Sequence, residues 1–430
     1  MLFDVFEEHL AEAGFLWTQW ERALVSPAFI LEESAAVEER LVAHLDGLVV
    51  AGAAAVEPLQ ARLLEGEDPG AVFASAWALL SLAPAFVLDV VKAGEGAYSP
   101  ECWAALHRAL ELAEGRELEA ALASWLHAGE GRLRALALDV LSFRGRAPVG
   151  AALELLGQSE DLAVAAALRA LRPSARSSPP RELGVLLKET RPEIRRAAVD
   201  AGLMFGLSEA LAATRADAVS GTGAVRKSAW TLLALMGEAR DLERLSSLTT
   251  DVASREDALW ALGYSGRRDA ADACVVAMAG PTRVAQLAGE AFAAITGLVL
   301  EGAYVMEEDA AEDALPPLEE DDLDADLSLR PEDALPRPNP EAVAHWWQVN
   351  RKDFVPGSRY LRGHVFTGAR LLDALTHEPM RRRQVHAWEL MLRTRGAWHV
   401  EVREFSVKQQ VALERAAEIR ERLPSWPFGT

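Results

Sequence analysis

Six stretches decide the fold: LRALALDVLSFRG (133–145), LAVAAALRALRP (162–173), IRRAAVDAGLMFG (194–206), VRKSAWTLLALMG (225–237), SREDALWALGYSG (254–266) and VAQLAGEAFAAITG (284–297). Their starts are separated by 29, 32, 31, 29 and 30 residues. Four residues into each stands an alanine: Ala137, Ala166, Ala198, Ala229, Ala258 and Ala288. An earlier copy, VFASAWALLSL (72–82), places Ala76 in the same register two periods upstream, and a degenerate copy over Glu101–Leu112 fills the gap. Repetition at this period marks a chain built from stacked supersecondary units.

The recurring alanine has a physical reason. Where two helices cross closely the contact residue must be small, and alanine is small without losing helix propensity. Around it, apolar residues recur at i, i+3, i+4 and i+7, the pattern of an amphipathic helix rather than a strand. Prolines at 69, 148, 173, 179, 180, 192 and 281, and glycines such as Gly263 and Gly266, punctuate the units. Pro192 and Pro281 fall where a helix would begin, the position at which proline is tolerated. Two short helices per ~30 residues give an all-α fold, an α-solenoid of helical hairpins. Over residues 66–300 the pattern resembles the HEAT-like repeat group in the short-period variant of bilin lyases, which implies architecture and, by itself, no particular activity.

Composition narrows the class. Half of the 430 residues are apolar and a quarter are charged, enough to bury a large core. The two cysteines, Cys102 and Cys274, form no CxxC pattern, which points to a reducing compartment. The first residues, MLFDVFEEHLAEAGFLW, carry acids where a secretory leader carries bases, and no apolar run reaches membrane-spanning length, so a cytoplasmic location is expected. The net charge of −21 disfavours general nucleic-acid binding. It is unevenly spread: Glu307–Asp333 holds thirteen acids against one arginine, whereas Asn339 to the last residue holds fifteen basic against ten acidic side chains.

Four regions follow: a helical cap over residues 1–65, the repeats over 66–300, a disordered or extended acidic linker over 301–340 with six prolines, and a basic, mostly helical C-terminal unit over 341–430. Trp17 and Trp20 share one helical face and are expected to pack in the cap. Val400, Val402 and Phe405 suggest a short extended piece, after which Ser406 is placed to cap the last helix. The N-terminal HLAEAGFLW, the segment RLVAHLDGLVVAG (40–52), the repeats, and the C-terminal RYLRG (359–363) with RRRQVHAWEL (381–390) together resemble a family of uncharacterised proteobacterial proteins. Some members of that family are encoded near type VI secretion components. The resemblance implies an accessory or adaptor role and carries over no catalytic residue.

The chemistry-bearing patterns are sparse. There is no phosphate-binding loop, and the histidines lack the two-ligand helical spacing of a metal site, so no cofactor or metal is expected. Candidate binding residues are Arg195 and Arg226 with Trp230 and Trp260 on the repeats, and the triplet Arg381, Arg382 and Arg383 ahead of Trp388. The triplet reads either as a phosphate or acidic-segment grip or as a solvated first turn. The leading expectation is a non-enzymatic scaffold that binds another protein along the inner face of the solenoid, its negative arm steering basic partners. The alternative is an enzyme or DNA-repair protein on the same scaffold, like the alkylpurine glycosylases, with Arg195, Arg196, Arg226 and Lys227 beside Trp230 and Trp260.

Overall fold

The proline and cap positions become helix starts. Asp68 accepts from the Ala71 amide at 2.6 Å and Pro69 opens the next helix; Ser99 with Pro100, and Asn339 with Pro340, repeat the arrangement. Pro192 occupies the first turn of its helix, whereas Pro281 falls one place earlier, at the cap. The structure is a computed structural model that describes residues 3–94, 96, 98–173, 178–306, 330–420 and 423. Among the described residues it is all-α, with 22 α-helices and one minimal hairpin of strands. The chain divides into two compact units. The first comprises Met1–Val25, Phe29–Ala213 and Leu375–Ile419; the second comprises Ser26–Ala28, Thr214–Ala374 and Arg420–Thr430.

In the first unit, helices α1 (Phe3–Ala23), α2 (Leu31–Val50) and α3 (Ala53–Glu65) precede a ladder of hairpins. These are α4 (Pro69–Leu82), α5 (Pro84–Ala93), α6 (Pro100–Leu112), α7 (Arg116–Ala128), α8 (Gly131–Phe143), α9 (Val149–Leu155), α10 (Asp161–Ala170), α11 (Leu183–Leu186) and α12 (Pro192–Met204). The even-numbered helices pack on one another in sequence order, and the odd-numbered ones cover them. Ala76, Ala137, Ala166 and Ala198 are all fully buried, and Ala105 on α6 supplies the missing period. The crossing of α1 and α4 uses glycine. A β-carbon on Gly70 of α4 would sit 2.6 Å from the Gly14 carbonyl oxygen of α1, so only hydrogen fits. Trp17 stacks on Phe73 at 5.0 Å and Trp20 is fully buried, so the cap packs as the sequence predicts. Ion pairs one repeat apart, Arg169 with Asp139 and Arg191 with Asp161, stitch neighbouring hairpins.

Helix α13 (Ser208–Ser220) leads into the second unit, where α14 (Gly223–Met236), α15 (Ala239–Ser247), α16 (Arg255–Ser265), α17 (Arg268–Ala277) and α18 (Thr282–Thr296) continue the same rule. Ala229, Ala258 and Ala288 are at most 2% exposed. Beyond α18 the chain turns back. Met306 donates to the Arg337 carbonyl, Gln286 to that of Leu335, and Arg283 pairs with Asp333 at 3.3 Å. The acidic stretch thus has ordered flanks on α18, while residues 307–329 lie outside the described residues. Helix α19 (Pro340–Asn350) then lays Trp347 on Phe292, with its indole N–H and the Arg351 guanidinium both on Asp272.

The RYLRG loop is a helix cap. Its strands β1 (Tyr360–Leu361) and β2 (His364–Val365) pair Tyr360 with Val365 and Leu361 with His364. Tyr360 N–H donates to the Gly266 carbonyl that ends α16, while Arg362 and Gly363 N–H donate to Ala294 and Ile295 in the last turn of α18. Orphan carbonyls at two helix ends are therefore satisfied by one loop. Gly266 and Gly297 terminate those helices in the left-handed region, and a β-carbon at either would collide with the loop backbone.

Helices α20 (Gly368–His377), α21 (Met380–Arg393) and α22 (Ser406–Ala417) complete the chain. In the first unit α21 packs on α12 and α22 on α2. The last helix is not capped by Ser406: Phe405 holds the cap position, and Ser406 is the first helical residue. Glu38 of α2 takes over, accepting from the Ser406 amide at 2.8 Å and from its hydroxyl at 2.8 Å. A carboxylate at a helix N-terminus complements the positive end of the dipole, so a distant residue does the work expected of a local one.

Overpacking a crossing should be costly where lengthening a surface side chain is not. Ala198→Leu is expected to lower the stability to urea by about 1–3 kcal/mol, against no more than about 0.5 kcal/mol for Val252→Leu at a position 73% exposed. Equal losses would contradict the crossing assignment.

Candidate functional site

Trp230 is where the sequence candidates and the geometry meet. It lies on α14 with its ring 2% exposed and its indole N–H donated to the Ala218 carbonyl of α13 at 2.9 Å. Arg226, one turn earlier, lies over the ring at 5.0 Å. Lys227 approaches Trp260 in the same way at 5.9 Å while pairing with Asp257 at 3.1 Å. Cation–π contacts of this kind are worth ~0.5–1 kcal/mol when exposed.

Trp230 forms the inner end of an open cavity of ≈ 330 Å³ between α13, α14 and α15. Leu233, Leu245, Leu248 and Ala218 complete an apolar lining, and Val219, 58% exposed, stands at its edge. Three arginines, Arg215, Arg240 and Arg244, surround the opening. They are not equivalent. Arg215 is tied to Asp241 through Nε at 3.1 Å and Nη2 at 2.9 Å, and also reaches Glu238 at 3.1 Å. Burial alone would raise the Asp241 carboxyl, but this two-pronged pairing and the Glu238 amide outweigh it and hold the group below the usual range. Arg240 is exposed and shares Glu238 at 3.1 Å. Arg244 is exposed and makes no ion pair with a described residue. The result is an apolar recess with one fixed cation, Arg215, and two exposed ones, Arg240 and Arg244.

The other candidates are elsewhere. Arg195, on α12 in the first unit, donates to the Leu187 carbonyl at 2.9 Å and braces the end of α11. It is only partly exposed, so its removal is more costly than a surface reading allows. The arginine triplet divides. Arg381 is half-buried, but Arg382 and Arg383 are 2% and 0% exposed. Arg383 donates to the Leu375 carbonyl at 2.5 Å and contacts Met380 sulfur, and Arg382 lies 3.5 Å from Glu378. Burial pulls the Arg383 guanidinium down to about 10. Neither a phosphate grip nor a solvated first turn describes these two; they are internal struts of the first unit. The spacing Arg382, His386, Glu389, Arg393 carries the signal, since positions i, i+4, i+7 and i+11 share one face, and Glu389 and Arg393 form a buried pair at 2.7 Å.

Residues 396–409 of the same unit form a second polar cluster that the alternation in AWHVEVREF does not reveal. Val400 and Val402 are buried as an alternating pattern implies, but Glu404 is buried too, Glu401 is half-buried and Arg403 is exposed, and the segment joins no strand. Arg108, 3% exposed, lies between the Trp20 and Phe143 rings, pairs with Glu21 at 2.6 Å and Glu111 at 2.9 Å, and donates to the Arg403 carbonyl. Phe405 packs on Trp20 and Trp77. Along this stretch, the ladder face bearing Trp77 and Arg108 is covered by the chain itself.

Desolvation dominates the charges there. It pushes the Glu401 carboxyl up to about 7 despite Arg403 and Arg108, pushes Asp200 up to about 7 despite Arg196 and Arg172, and lowers His399 to about 4, with Arg172 adding to the effect. Asp200 Oδ1 is buried with no hydrogen-bond partner among the described residues.

Solved structures with similarity to the chain include the crystal structure of YibA of Escherichia coli, at 13% identity, covering 58% of this chain and 94% of that one with a TM-score of 0.38. Another is the crystal structure of an engineered protein, at 17% identity, 65% and 87% coverage and a TM-score of 0.29. No family model matches the chain. No curated protein matches it either.

A carboxyl whose folded-state value is raised stabilises the fold fully below its unfolded value and loses that contribution as pH rises through the folded value. Glu401 and Asp200 therefore predict declining stability of the first unit from about pH 4.5 to above 7. His399, lowered, opposes this between about pH 4 and 6.5 and is silent above that. Between pH 6.5 and 8 wild type should lose stability to urea, and Glu401→Gln should remove about 0.5–1 kcal/mol of that loss. Parallel pH profiles for the two proteins would contradict the assignment.

Proposed function

We propose that this chain is a non-enzymatic, cytoplasmic scaffold that binds another protein, with the arginine-rimmed recess beside Trp230 as its contact site. The recess carries the reading: a buried apolar floor of Trp230, Leu233 and Leu245 beneath the partly exposed Ala218 and Leu248 and the exposed Val219, with Arg240 and Arg244 also in its lining. Binding energy at protein interfaces concentrates where a side chain fills such a pocket and where aromatic and arginine residues provide the anchors. The stacked hairpins support this, since they hold α13, α14 and α15 as a rigid frame. The buried polar groups that line the recess have structural duties: the indole N–H is used by Ala218, and Asp241 is used by Arg215 and the Glu238 amide. This leaves recognition by shape and charge as the function the residues fit.

The resemblance of both ends to proteins encoded near type VI secretion components supports an accessory role around that apparatus. The sign of the recess changes one expectation. The average surface is negative and would steer basic partners, whereas the recess itself is cationic. The DNA-repair alternative gains nothing from the geometry, because the Trp230 face is covered by Arg226 and Lys227 is paired with Asp257.

Affinity capture from native extract tests the reading. Wild-type chain should retain a partner at moderate salt that Arg240→Glu with Arg244→Glu loses by at least tenfold, both proteins being equally folded. Retention unaffected by the pair, or no partner at any salt, would count against it.

A further inference from the structure

The recess also constrains what enters it, on the footing that it is a protein-binding site. We propose that it takes a short extended peptide that sets one aliphatic side chain, such as leucine, against Ala218, Val219 and Leu248 in the recess and places its acidic residues against Arg240 and Arg244, which stand one turn apart on α15.

Size comes first. At ≈ 330 Å³ the cavity is at the small end of binding clefts, which run from about 300 to 1,000 Å³. It suits a single side chain with its flanking backbone and leaves no room for a folded element. The chemistry of the wall comes second. A nucleobase needs an aromatic face to stack on, and the ring of Trp230 is only 2% exposed, with Arg226 over it and the indole N–H engaged. The apolar lining that remains accessible is aliphatic: Ala218, Leu248 and the exposed Val219.

Charge decides the flanks. Arg244 has no ion-pair partner among the described residues, and the carboxylate nearest Arg240, that of Glu238, is shared with Arg215. Two guanidinium forks thus hold unused donors at the opening, and such donors match carboxylates in a two-pronged geometry. The rest of the molecule enforces the choice. A chain of net charge −21 repels an acidic peptide from most of its surface, so such a ligand engages only where the local sign is reversed. A basic peptide would meet the unpaired Arg244 and the only partly neutralised Arg240 at the recess.

The test is fluorescence anisotropy with the full-length chain and labelled ten-residue peptides: one with a central leucine flanked by aspartate and glutamate, one with that leucine replaced by serine, and one with the acids replaced by lysine. The acidic leucine peptide should bind at least tenfold more tightly than the serine version. Arg240→Glu with Arg244→Glu should weaken it at least tenfold, as should Val219→Trp, which narrows the entrance from an exposed position. Arg146→Glu, exposed and in the first unit, should leave it unchanged. Equal binding of the leucine and serine peptides, indifference to the arginine pair, or preference for the lysine peptide or for a single-stranded oligonucleotide would each overturn the inference. If the peptides fail while wild-type chain still captures a partner from extract, the scaffold reading stands and this inference alone is lost.

Discussion

Close approach of helix backbones is the constraint on which the rest depends. Hairpins this short cannot bury enough apolar surface alone, so each must press against the next, and the distance of approach is set by the side chain at the crossing. Alanine fills that place at every period, from Ala76 to Ala288, and glycine does so where α1 meets α4. The small residue has two effects. It brings the helices near enough for flanking leucines to interdigitate, and it fixes the repeat vector so that surface residues one period apart come into register. The latter explains why Asp139 finds Arg169 and Asp161 finds Arg191. Pairs of that kind add little individually, but their spacing is a direct readout of the repeat.

Ends and interruptions need other solutions. In the second unit the RYLRG loop closes α16 and α18 by donating backbone amides to their last carbonyls, and the aromatic group around Trp347 and Phe354 covers what the next hairpin would have covered. The first unit is closed differently, by charges. Two groups, Arg108 with Glu21 and Arg403, and buried Glu38 with Ser406, hold residues 396–409 against the ladder. Networks of this sort specify one arrangement more than they stabilise it, and the raised Glu401 and Asp200 carboxyls show the cost that desolvation imposes. With that face occupied, the open recess at Trp230 in the second unit becomes the more informative surface.

The repeat, its alanines and the helix starts were legible because they obey local rules: periodicity, propensity and capping. Trp230 and Arg226 were also legible as a pair, since four residues on a helix place them together. The recess was not, because Val219 comes from α13, Trp230 and Leu233 from α14, and Arg240, Arg244 and Leu245 from α15, and no local pattern brings three helices together. The arginine triplet misled for a related reason. Adjacent arginines look solvated until the inward face containing His386, Glu389 and Arg393 is drawn, and that face is polar where a core face is ordinarily apolar. Ser406 misled because capping rules are local, whereas its partner Glu38 is 368 residues away.

The most direct measurement is cysteine accessibility at the crossings. Cys102 and Cys274 are buried, so the native background is low. Alanines 76, 105, 137, 166, 198, 229, 258 and 288, each changed singly to cysteine, should resist a thiol reagent in native protein and react only on unfolding, while Val219→Cys and Val252→Cys react at once. Native labelling of the alanine positions at the rate of those two exposed controls would contradict the stacked-hairpin account.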